Sequence, residues 1–343
     1  MGRIGKICFA VVCAMLVVGV SVGIFWMVLI PEKGVEKIVV EMQRGINIGD
    51  ALEAPVDKTW NVTMKHYFFD EIVERGFDTV RIPIRFSDYT DDSSKYILDE
   101  TFMKEIDSYI DYALEKGLVV IIDLHHFQEL MEYPVQNKDK FLKIWEQLSL
   151  RYMEYPKELI FEVLNEPHWN LTPELWNVYL NEAITLIRTT NETRKIVVGP
   201  GEYHNIKFLD ILQIPEGDPN LIVTIHYYEP NEVAFQGNIY HPGFEQYENV
   251  TWEGTDEQVA DLQEAFQRAS DYGTTHNVDI FLGEFGVTKE APIETRLEWT
   301  RSVREEAERL GMSWSYWELG SGFGIYDVPL GQWDTLLLKA LIP

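Results

Sequence analysis

Cysteine is nearly absent from the 343-residue chain. It has two, Cys8 and Cys13, both near the start. The remainder can build neither a disulfide framework nor a cysteine-ligated zinc site. Basic residues are also scarce, 29 against 56 acidic ones, for a formal charge of −27. Such a surface repels phosphate backbones and excludes a nucleic-acid partner. No Gly-rich phosphate loop follows the first strand pattern, which argues against a doubly wound nucleotide-binding sheet. His-Glu-X-X-His, calcium-loop spacing and a Gly-X-Ser-X-Gly elbow are all missing, so no metal is expected and a serine triad is unsupported. There is no internal repeat and no low-complexity segment.

What is present points to a globular protein, neither disordered nor fibrous. Hydrophobic residues make up 46% of the chain and charged ones 25%, enough for a sizeable core. Aromatic content is 13%, with 10 Trp. Indole faces stack on sugar rings, although most Trp in any fold are core.

The one long apolar run, residues 7–30, holds 24 residues without a charge, after Arg3 and Lys6 and before Pro31, Glu32 and Lys33. That length spans a bilayer, and the basic flank keeps the N-terminus cytoplasmic. We expect an uncleaved signal anchor over residues 1–30, a linker over 31–40 and a catalytic domain over 41–343. That domain would face outward on the cell membrane, or be secreted if the segment is cleaved. Asn61, Asn170, Asn191 and Asn249 head Asn-X-Ser/Thr sequons, which suit an exported domain.

Strand and helix patterns then alternate to the end. Strands are expected at 44–48, 79–84, 118–124, 159–164, 195–198, 221–225, 279–282 and 313–317. Helices are expected at 65–75, 99–116, 138–155, 173–190, 256–272, 292–310 and 333–341. This predicts α/β architecture, a single (β/α)8 TIM barrel behind the N-terminal transmembrane helix. Chemistry in such a barrel sits where strands end. Arg81 lies in the second strand. His125 and His126 follow the third, Asn165 and Glu166 the fourth, and His226 and Tyr228 the sixth. Glu284 ends the seventh and Trp317 the eighth. Adjacent strand residues point to opposite sides, so His125 and His126 are poorly placed to share a metal. Glu166 and Glu284 form the pair that acetal hydrolysis needs, one protonated to assist the leaving oxygen and one ionised. The charge on one of the pair raises the proton affinity of the other, which separates their pKa values.

The stretches Arg44-Gly-Ile-Asn-Ile-Gly49, Val80-Arg-Ile-Pro-Ile84, His125-His126, Leu164-Asn-Glu-Pro167, His226-Tyr-Tyr228, Gly283-Glu-Phe-Gly286 and Trp314–Trp317 carry a family likeness. From residue 44 onward the chain resembles glycoside hydrolase family 5, the cellulase-type retaining β-glycanases. The resemblance implies Glu166 as acid/base and Glu284 as nucleophile. It implies Asn165 on the sugar 2-hydroxyl, Arg81 near Glu284 helping to keep that carboxyl ionised and low while Glu166 is held high, Tyr228 against Glu284, His125, His126 and His226 lining subsites, and Trp317 as a stacking floor. Trp314 reads as core. It further implies an endo-β-1,4-glucanase acting on β-glucan as a monomer without a cofactor. A β-mannanase, a broad β-1,3-1,4-glucanase and a non-catalytic sugar-binding barrel are the alternatives. The chain departs from the compact endoglucanases it most resembles at Asp50, where they have Asn, and at Phe235, where they have His. Both positions are expected at the mouth on the sugar side, tuning glucan against mannan.

Overall fold

The computed structural model describes residues 35–343, apart from 57, 59 and 61. The expected anchor and the sequon at Asn61 lie outside the described residues. Among those described, no helix is long and apolar enough to cross a membrane.

Eight parallel strands close into one barrel: β1 Arg44–Asn47, β2 Thr79–Ile84, β3 Val119–Leu124, β4 Leu159–Glu162, β5 Ile196–Val198, β6 Leu221–Tyr227, β7 Asp279–Phe285 and β8 Ser313–Tyr316. β8 returns to pair with β1. The near-continuous apolar runs of β2 and β3 are buried along their whole length, as a strand covered on both faces must be. Helices cover the outside, among them Glu100–Glu115, Pro134–Arg151, Pro173–Arg188, Asp256–His276 and Ile293–Arg309. Caps fix several starts. Asp99 accepts from the Phe102 amide, and Thr255 forms a full capping box with Gln258.

No helix is expected between the fifth and sixth strands, where Pro200, Pro215, Gly217 and Pro219 crowd the connection, and a 3-10 turn, Ile206–Ile211, stands there. Two expectations need correction. β6 and β7 run past their expected ends to Tyr227 and Phe285, since their ladder continues across a bulge at Ile225/His226 that sets His226 opposite Glu284. The helix expected from 138 starts at Pro134, and Gln128–Glu132 forms an unforeseen turn of helix before it.

Alternation along the strands stacks the barrel interior in layers. Val119, Ile121, Ile160, Val197, Ile222 and Phe281 form an apolar floor. Two residues further along each strand, Asp123, Glu162 and Thr224 follow as a buried polar layer, joined by Asn47, Arg81 and Ser315. The floor is closed from below by Val40 and Met42. The segment leading to them is tied down: Asn220 accepts the Ile38 amide at 2.7 Å and donates to the Glu36 carbonyl at 2.8 Å. Residues 36–42 are therefore packed against the barrel rather than a free spacer.

A chain beginning at Val35 should unfold cooperatively. Deleting through Met42 should cost about 2 kcal/mol or more from the apolar surface lost, read as a lower urea midpoint. Equal midpoints for the two truncations would show that the strap adds nothing.

Candidate active site

The site is assembled around Arg81. Its guanidinium is fully buried, which is tolerable only if every N–H finds an acceptor. Nε and Nη2 reach the two oxygens of Glu162 at 2.7 and 2.8 Å. Nη2 also reaches Asp123 at 2.9 Å and Asn165 Oδ1 at 2.8 Å. Nη1 donates to Asn47 Oδ1 at 2.9 Å and to Glu284 Oε1 at 2.8 Å. Asn47 is itself pinned by the Gly283 carbonyl at 3.0 Å and Ser315 Oγ at 3.1 Å. One cation thus ties together residues of β1, β2, β3, β4 and β7.

Glu284 and Glu166 face each other beside His226. Glu284 Oε2 accepts from the Tyr228 hydroxyl at 2.9 Å. His226 Nδ1 lies 2.7 Å from Glu166 Oε1 and 3.5 Å from Glu284 Oε2. Ligand-type atoms of these three residues all lie within 4.8 Å of one another. Carboxyl groups about 5–5.5 Å apart suit direct attack by one of them, whereas a wider pair leaves room for a water. Glu166 sits at φ +45°, a left-handed conformation that costs roughly 1–2 kcal/mol for a residue with a Cβ.

Burial sets the protonation. It pushes the Glu166 carboxyl up to about 7, only partly opposed by His168 and Arg81. The expectation for Glu284 is corrected. Burial raises it too, outweighing His226, Arg81 and the Tyr228 bond, all of which favour its ionised form. Asp123 is raised to about 7 by burial against the pull of Arg81. His226 falls to about 4, with burial the largest cause, so it stays neutral near pH 7.

The sugar-side residues converge at the mouth. His125 is buried with Nδ1 on Asp123, and its ring lies parallel to Trp317 with centroids 5.9 Å apart. The alternation argument fails for His126. β3 ends at Leu124, and φ +52° at His126 turns its ring back to 4.4 Å from His125 and 5.6 Å from Trp60. Trp317 is half-buried and bears on Gly49, where a Cβ would come within 2.9 Å of the indole. Trp314 is core. Phe235 lies 4.9 Å from the Tyr228 ring and stacks on His241 at 4.2 Å. Asp50 accepts from the Ser321 hydroxyl and adjoins buried Glu53 and Glu318. Asn191 is no glycan acceptor: it is buried, donating to the Ser149 carbonyl at 2.8 Å. Asn170 and Asn249 are exposed.

Asp123 and His168 stand out in the sequence as strand-end polar residues without a role, whereas Asn47, Glu162 and His204 are passed over as working parts. Glu162 was legible as a lone charge inside Leu-Ile-Phe-Glu-Val-Leu. His204 carried no such signal.

Among the described residues, two groups could hold a metal on spacing alone, Glu162-His204-His226 and Glu166-His226-Glu284. Both oxygens of Glu162 are already engaged by Arg81, and the second group is the carboxylate pair itself.

A strand-end carboxylate pair in a (β/α)8 barrel defines a glycoside hydrolase site. The family model for cellulase, glycosyl hydrolase family 5, matches residues 43–322, and the chain belongs to that family. It is 31% identical over 311 residues to endoglucanase H of Acetivibrio thermocellus, covering 89% of this chain and 33% of that much longer protein. The chain thus spans only about a third of that relative's length. The crystal structure of the clostridial cellulose synthase subunit Z from Clostridioides difficile superposes with a TM-score of 0.87 at 56% identity, covering 88% of this chain and 100% of that one. Thermotoga maritima Cel5A in complex with cellobiose gives 0.86 at 43% identity, covering 88% and 97%. The same enzyme in complex with mannotriose gives 0.86 at 42%, with the same coverage.

The kcat/KM profile should be bell-shaped. Its alkaline limb should fall near pH 7 as Glu166 loses its proton, and its acid limb should lie above the ordinary glutamate value because Glu284 is raised. Tyr228→Phe removes a bond to the ionised form of Glu284 and should move the acid limb to higher pH. An unmoved limb in that variant would break the link between the two residues.

Proposed function

We propose that the protein is a retaining endo-β-1,4-glucanase. The observation that carries this reading is the close approach of the Glu166 and Glu284 carboxyls around His226. In the first step a Glu284 oxygen attacks the anomeric carbon. The glycosidic C–O bond breaks, and the leaving oxygen takes the Glu166 proton, leaving a glycosyl ester on Glu284. In the second step Glu166, now ionised, takes a proton from water. The water oxygen attacks the same carbon and releases Glu284. Asn165 turns its Oδ1 to Arg81, which leaves its amide as a donor to the sugar 2-hydroxyl. Trp317 is the floor for a sugar ring, beside His125 and His126. No cofactor enters these steps.

Cellulose is the first polymer to test, given the likeness to a cellulose synthase subunit. The mannotriose complex of Cel5A supports β-mannan as the second. Asp50 and Phe235 set the ranking between them. Asp50→Asn with Phe235→His should shift the glucan-to-mannan ratio of kcat/KM by about tenfold, the size of one hydrogen bond. An unchanged ratio would place specificity elsewhere. The chain is anchored by residues 1–30 with the catalytic domain outside the membrane, and it acts as a monomer. The apolar run and its basic flank support the anchor.

Glu284→Ala should abolish glucan hydrolysis, and proton NMR of the first product formed by the wild type should show the β-anomer. An α-anomer first, or wild-type inactivity on every β-glycan tried, would sink the reading.

A further inference from the structure

Three imidazoles surround Glu166, and two of them hold its backbone rather than its carboxyl. His226 takes the carboxyl. Nδ1 of His168 lies 2.5 Å from the Glu166 carbonyl. Nε2 of His204 lies 3.0 Å from the Glu166 amide, which donates to it. The His204 ring also meets His226 edge-on, centroids 4.8 Å apart at 79°. One ring therefore touches both the backbone of Glu166 and the imidazole that contacts its carboxyl.

The chain goes to unusual lengths to put it there. Glu202, Tyr203 and His204 have φ of +55°, +64° and +54°, three consecutive left-handed residues that all carry a Cβ. Neither helix nor strand holds such a run, so surrounding contacts must. The Tyr203 amide donates to the Pro167 carbonyl at 3.3 Å, and its ring stacks on His168 at 4.3 Å. His204 Nδ1 lies 3.0 Å from the Pro200 carbonyl. Gly199 makes room, because a Cβ there would meet that Nδ1 at 2.2 Å. Nε2 lies 3.1 Å from the Leu164 carbonyl as well, so the tautomer decides its partner: with the proton on Nδ1, donated to Pro200, the Nε2 lone pair accepts from the Glu166 amide. A doubly protonated ring would repel that amide. Burial above all, with the Arg81 charge, holds the His204 ring neutral against the Pro200 and Leu164 carbonyls, which favour its charged form.

We propose that His204 is a positioning residue for the acid step: it fixes the left-handed backbone of Glu166 and, through His226, the line along which Glu166 delivers its proton to the leaving oxygen. His204 is fully buried and has no exposed surface to offer a sugar. This rests on Glu166 being the acid/base. The charged and titratable groups around Glu166 remain in place without His204: Arg81 from β2, Asp123 from β3, Glu162 from β4, His226 and Tyr228 from β6 and its end, Glu284 from β7, Tyr203 beside it and His168 on its own loop. A neutral ring removed from among them changes delivery more than charge.

The test uses leaving groups. A soluble β-glucan needs its leaving oxygen protonated, whereas 2,4-dinitrophenyl β-cellobioside does not. His204→Gly suits a left-handed position and should fold. It should lose about tenfold to a hundredfold in kcat/KM on glucan and less than about threefold on the dinitrophenyl substrate. His204→Asn also tolerates that conformation, is too short to reach the amide, and should show the same split if the Gly variant unfolds. His204→Gln can reach the amide and should recover part of the loss. Equal losses on both substrates, or none on glucan, would overturn the proposal. Glu166→Ala is the control. If it shows no such split, the acid/base assignment itself has failed, whatever His204 does.

Discussion

The site depends on keeping one guanidinium out of water. Arg81 has no solvent to turn to, so its N–H groups dictate where Asn47, Asp123, Glu162, Asn165 and Glu284 stand. Burying such a charge is costly, and removing any one partner leaves an uncompensated group behind. Five strands contribute to the cluster, so the barrel's register and the position of Glu284 are one constraint. The polar layer rests on an apolar floor for the same reason. The floor excludes water below, and the alternation of the strands delivers the polar groups two residues above it.

That dependence changes how the paired carboxyls are understood. A cation beside Glu284 suggests a carboxyl held low, yet burial outweighs it. Arg81 is shared among several acids and cannot serve each as a private partner. Ionisation of Glu284 is therefore assisted by the Tyr228 hydroxyl as well, while Glu166, bonded to a neutral His226, keeps its proton. The two roles separate through hydrogen bonding more than through net charge.

Most of this architecture is legible in the amino-acid order. β2 occupies its expected residues, because an apolar run interrupted only by Arg81 admits one register. Residues that end strands could be found because polar groups at the close of apolar runs need a reason. What lay beyond reach was the part set by tertiary contact. His126 and His204 are placed by left-handed backbone that no local preference favours. The lengths of β6 and β7 follow from a bulge in their ladder.

The acids beside the mouth bear on the alkaline side of the molecule's life. Glu53 accepts the Ala51 amide at 3.0 Å and is still pushed up to about 8, chiefly by burial, and burial also raises Glu318 well above the ordinary glutamate value. Near pH 7 Glu53 holds its proton, so the formal charge of −27 overcounts the acidity of the folded chain. The linkage runs opposite to that of a salt-bridged carboxylate. A raised acid stabilises the fold fully below its unfolded value of about 4.5, and that contribution drains away as pH climbs towards about 8. Folding therefore draws a proton onto Glu53 at neutral pH, and the barrel gives up that contribution on the alkaline side.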